Sequence, residues 1–108
     1  MPSRHDEARA LVQRAFDLDD EGRSDEAVAT CEELEAGFAE ATDNDVREML
    51  ARGLELKADV LRRTGRSHDA LAVYGELAER FADVKRWSVA RIMVRALAYQ
   101  AVLLRELD

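Results

Sequence analysis

Apolar residues fall along the chain at helical spacing. Leu11, Ala15 and Leu18 stand at i, i+4 and i+7, and after Gly22 the same interval returns at Ala27, Cys31 and Leu34. Leu54, Ala58 and Leu61 then precede Gly65, and Ala70, Tyr74 and Leu77 follow it. Each glycine supplies a residue able to take positive φ and close a helix, with Ser24 and Ser67 placed to cap the next one. Asp45 and Ser88 are the expected N-caps of the third and fifth helices, and Pro2-Ser3 stands at the corresponding place at the start. The pattern predicts five helices, over about 3–21, 24–41, 46–64, 67–83 and 89–107. The fold class is all-α, built from antiparallel helix pairs.

The pairs are copies of one another. Gly22-Arg23-Ser24 recurs as Gly65-Arg66-Ser67, and residues 22–38 match 65–81 at eight of seventeen positions, all at an offset of 43. The same offset aligns Arg9 with Arg52 and Arg95, Ala15 with Ala58 and Ala101, and Leu18 with Leu61 and Leu104. One domain, 1–108, therefore divides into repeats at about 2–44 and 45–87 and a half repeat at 88–108.

Composition narrows the chemistry. The 108 residues include one proline, five glycines and 47% apolar residues, too turn-poor for a β-sandwich and too apolar for a disordered chain. A net charge of −7 argues against nucleic acid as a partner. No apolar run approaches the ~18 residues of a membrane span, and the expectation is a soluble, cytoplasmic chain that does not contact a membrane. Cys31 stands alone, and His5 and His68 are far apart, so neither a disulfide nor a metal site is expected. Cys31 shares the inward stripe of Ala27 and Leu34 and reads as a small buried apolar residue. Asp19-Asp20-Glu21 lacks the alternating ligands and glycine of a calcium loop, and Glu32-Glu33 has no histidine partner. With no glycine-rich phosphate loop either, no enzyme activity and no cofactor are expected.

The residues resemble tetratricopeptide repeats. Leu11, Ala15, Leu18, Gly22, Ala27, Cys31 and Leu34 follow that family's order, and Leu54, Ala58, Leu61, Gly65, Ala70, Tyr74 and Leu77 follow it more closely. The 43-residue unit is longer than the usual ~34 residues and is similar to the bacterial long-helix variety. No tryptophan opens the first helix, no proline closes the second, and Arg14, Lys57 and Gln100 replace a leucine. The resemblance implies a right-handed superhelix and a scaffold whose first helices line a concave groove for a protein or peptide partner. Mapped onto this chain, the groove shows Arg9, Arg52 and Arg95 as one row and Phe16, Asp59 and Val102 as another, with Asp19, Arg62 and Arg105 beside them. An arginine row suits acidic side chains or a terminal carboxylate, while the plainer reading is a solvated face interleaved with Asp19, Asp20, Glu55 and Asp59. Val12, Phe16 and Leu56 depart from the carboxylate clamp of chaperone-binding members, which disfavours chaperone tails as ligands.

The two ends differ. Asp6, Gln13, Asp17 and Glu21 hold positions that are Met49, Leu56, Val60 and Thr64 in the third helix and Ile92, Tyr99, Leu103 and Leu107 in the fifth, so the first helix reads as a polar cap. The fifth helix is apolar over an arc of about 220°. Ile92, Tyr99 and Leu103 are expected to pack on the second repeat, which leaves Met93, Leu97, Ala101 and Leu104 without cover. The expectation is a homodimer through these four residues, with self-assembly as the alternative function; a longer array, or a face tolerated in water, would also account for them. Residues 1–54 carry a net −9 and residues 55–108 a net +2. Trp87, in the basic cluster Lys85-Arg86-Trp87, is expected to close the joint between units.

Overall fold

Each predicted apolar stripe forms one helix in the computed structural model, which describes residues 1–108: α1 (Arg4–Asp20), α2 (Ser24–Phe38), α3 (Asn44–Arg63), α4 (Ser67–Arg80) and α5 (Trp87–Leu107), with no strand. At both hairpins glycine takes a positive φ, 76° at Gly22 and 83° at Gly65. The N–H of Arg23 then donates to the Leu18 carbonyl and that of Arg66 to Leu61, at 2.9 and 2.8 Å, a Schellman closure.

The caps differ from expectation at four of five helices. Ser3 caps α1 in a reciprocal box with Asp6, each accepting from the other's backbone N–H. The residues flanking α2 and α4, however, are Arg23 and Arg66, and Ser24 and Ser67 are already helical. The Schellman turn leads directly into the next helix, so the serines arrive one position late for capping. Asp43 rather than Asp45 caps α3, accepting from the N–H groups of Asp45 and Val46. Asp45 and Ser88 instead tie the two repeat joints together. Asp45 accepts from Arg86 at 2.6 Å, and the Ser88 hydroxyl donates to Glu48 at 2.6 Å.

Helices α1, α3 and α5 touch in series and form one layer, while α2 and α4 each pack on the odd helices to either side. No Cα of α2 comes within 8 Å of one in α4. The thinnest dimension is 20 Å, two helix diameters. The core is one continuous cluster, from Ala8 and Val12 through Leu50, Leu54 and Leu61 to Tyr74, Leu77, Phe81, Ile92 and Leu103. Asp6, Gln13, Asp17 and Glu21 all face solvent.

α2 and α4 stop about three residues earlier than the periodicity suggests, because side chains take over their last carbonyls. The Arg4 guanidinium donates to the Gly37 carbonyl at 3.1 Å and lies 4.7 Å from the Phe38 ring centre. One repeat on, Arg47 donates to Arg80 at 3.0 Å, lies 5.6 Å from Phe81 and grips Asp83 with two bonds. Arginine, helix end and phenylalanine all recur at the 43-residue offset. In the half repeat the corresponding residue is Ala90, which is exposed.

α5 corrects two expectations. Its 21 residues, with a mean hydropathy of 1.2 over an 18-residue window, are long and apolar enough to cross a membrane. In this fold its Val89, Ile92, Ala96 and Leu103 close the core. Trp87 does not close the joint: it is 79% exposed, and the buried side chains there are Val84 and Val89.

Candidate functional site

The odd-numbered helices present one polar trough. Arg9 and Phe16 come from α1, Arg52 and Glu55 from α3, and Arg91 and Arg95 from α5. Two adjoining depressions, of about 520 and 330 Å³, share Phe16 and Arg52 as lining residues. The inward stripes position these groups: Ala8, Val12 and Ala15 fix the rotation of α1, Leu50, Leu54 and Leu61 that of α3, and Ile92 and Ala96 that of α5. Part of the outer arc of each helix then faces the trough.

Its electrostatics are uneven. Arg95 forms a two-pronged pair with Glu55 at 2.8 and 2.9 Å, which holds its pKa above the ordinary arginine value. Glu48 is engaged by Ser88 and lies 3.5 Å from Arg86. Arg9, Arg52 and Arg91 have no carboxylate within salt-bridge distance. Phe16, 37% exposed, stands in the middle.

The predicted groove residues separate into three sets. Arg9, Phe16, Arg52 and Arg95 line the trough, and Val102, half-exposed on α5, lies outside the two depressions. Asp59 and Arg62 belong to an inner network instead. The Tyr74 hydroxyl donates to Asp59, Arg62 donates to the Tyr74 oxygen at 3.2 Å, and the Arg62 guanidinium stacks 4.0 Å from the Tyr99 ring. Burial, then the bond to Asp59, push the Tyr74 pKa up. Asp19 is paired with Arg63 at 2.9 Å. Arg91, Glu48 and Ser88 were not anticipated; the i, i+4 spacing of Arg91 and Arg95 was the available signal.

Of the four residues assigned to a dimer seam, Leu97, Ala101 and Leu104 are exposed, while Met93 is half-buried against the core. Elsewhere the reactive groups are scattered. No group of three or more His, Cys, Asp or Glu residues is placed to hold a metal ion. His5 shares a depression with Ser3 and Asp43 but bonds to neither, and the Ser3 hydroxyl is engaged in capping. Burial, then the nearby Glu35, raise the Cys31 thiol to about 12. Native protein at pH 8 should therefore resist thiol-specific reagents over a period in which the urea-unfolded chain is fully labelled. Rapid labelling of the native state would mean that Cys31 is not buried.

No family model, curated protein or solved structure matches the chain. The trough is thus the principal guide to function.

Proposed function

We propose that the protein is an interaction module of the tetratricopeptide kind, and that its trough binds an acidic peptide segment of a partner. The observation that carries the reading is the set of three unpaired arginines, Arg9, Arg52 and Arg91, around half-exposed Phe16 on a chain whose net charge is −7. A lining of four arginines against Asp6, Glu48 and Glu55, on a protein that is acidic as a whole, favours anionic ligands and steers their approach. Phe16 gives an apolar residue of that ligand a surface to cover, and guanidinium forks match carboxylates in pairs. Three features support the superhelical reading: the layer formed by α1, α3 and α5, the glycine closures, and the recurrence of the arginine contact to the second helix at the 43-residue offset.

The test uses a fluorescent peptide in which glutamates flank a leucine, with a lysine-for-glutamate control, read by anisotropy at two salt concentrations. The acidic peptide should bind, more weakly at high salt, and the lysine control should not. Arg9→Glu with Arg52→Glu should weaken binding more than tenfold, since two attractive contacts become repulsive, with far-ultraviolet circular dichroism unchanged. Both arginines are exposed and unpaired, so their replacement disturbs no internal contact. Equal binding of both peptides, or indifference to the double reversal, would remove the trough as the site.

A further inference from the structure

On the side of α5 turned away from the core, six exposed residues follow strict alternating intervals of three and four. These are Trp87, Ala90, Val94, Leu97, Ala101 and Leu104. That is the spacing of a two-helix seam, sustained over nearly three heptads. The four large members are 79, 67, 51 and 54% exposed in chain order. The other helices each direct such a stripe into the core, whereas this one lies on the far side of α5 from Val89, Ile92, Ala96 and Leu103.

Three observations indicate the occupant. The stripe is its own complement when reversed: an antiparallel two-fold centred between Arg95 and Ala96 sets Trp87 against Leu104, Ala90 against Ala101 and Val94 against Leu97 of the second copy. Every member finds a partner, large on large and small on small, as a self-complementary interface requires. The flanking positions then bring Arg91 near Ala98 and Met93 near Gln100 of the other copy, so no like charges meet. Finally, the arginine that clamps a second helix in the first two repeats is here Ala90, so α5 lacks the device by which α1 and α3 hold such a helix.

We infer that α5 docks against α5 of a second copy as an antiparallel two-fold pair along this stripe. Roughly 500 Å² buried on each copy gives about 1,000 Å² in all, at the low end of specific interfaces. The pairing also keeps the strongly acidic N-terminal halves at the outer ends of the assembly.

Light scattering coupled to size exclusion, over a dilution series, should give a mass near twice the 12.2 kDa of one chain. Val94→Glu with Leu97→Glu alters only exposed side chains and should halve that mass while preserving helicity. For register, Ala90→Cys and Ala101→Cys chains are prepared separately and oxidised. Each alone should stay uncrosslinked, because the antiparallel pairing holds like positions about 16 Å apart along the helices, and an equal mixture should crosslink. A monomer at every concentration overturns the proposal and leaves the stripe to a helix of another protein. A dimer that survives the double glutamate variant, or self-crosslinking of either cysteine variant, overturns it equally.

Discussion

Tyr74→Ala should lower the thermal midpoint by roughly 15–20 °C, following a loss of about 3–5 kcal/mol for truncating a fully buried ring. Tyr74 has no exposed surface, and its ring stacks on Tyr99 with centroids 5.5 Å apart. With Arg62 it joins α3, α4 and α5: its hydroxyl bridges Asp59 and Arg62, and Arg62 covers the Tyr99 ring. Removing it opens a cavity at the second joint and leaves Asp59 to a single contact with Arg62 at 3.8 Å. Tyr74→Phe separates the two effects, keeping the ring and costing about 1–2 kcal/mol for the lost bonds. Calorimetry of the three proteins is decisive. A midpoint for Tyr74→Ala within about 3 °C of the parent would show that the joint does not depend on this residue.

Gly53→Ala should destabilise the protein by about 1–2 kcal/mol, against the usual sign for a glycine inside a helix. Alanine normally gains about 0.5–1 kcal/mol at such a position. Here the added methyl would clash with Leu34 Cδ2, and Leu34 is 1% exposed, so its side chain has to shift within the core. The equivalent residue on α5 is Ala96, which carries the methyl group that Gly53 lacks. A double-mutant cycle gives the sharper check. Leu34→Ala alone should cost about 2–5 kcal/mol, and in the Gly53→Ala background about 1–2 kcal/mol less, because the two changes share one volume. Stabilisation by Gly53→Ala would disprove the close approach.

Both sites show where sequence reasoning succeeds and where it stops. Tyr74 lies on a stripe of period 3.6, so its burial was legible; that its hydroxyl would draw Asp59 and Arg62 out of the groove was not, because the three residues meet only once α3 and α4 are packed. The glycine turns were legible because positive φ is written in residue type. The caps were not, since a serine one position past the true boundary looks the same in sequence. The Arg4 and Arg47 contacts span 33 residues and end on backbone carbonyls, so no residue type marks the acceptor. Their signature was the shared 43-residue recurrence of those arginines with Phe38 and Phe81. Half of the trough followed from aligning Arg9, Arg52 and Arg95; the unpaired state of Arg52 and the engagement of Arg95 by Glu55 required the geometry.

The separation of α2 from α4 has a mechanical consequence. Between them runs a cleft lined by Val28 and Glu32 on one bank and Ala72 and Val73 on the other. The row α1, α3 and α5 is therefore a spine, and the outer pair are ribs whose backbones stay apart, linked where the Arg80 side chain donates to the Ala39 carbonyl at 2.9 Å. Spreading the ribs separates no packed backbone, so resistance to bending about the spine rests on side chains such as Arg80. Such bending would change the curvature of the inner surface.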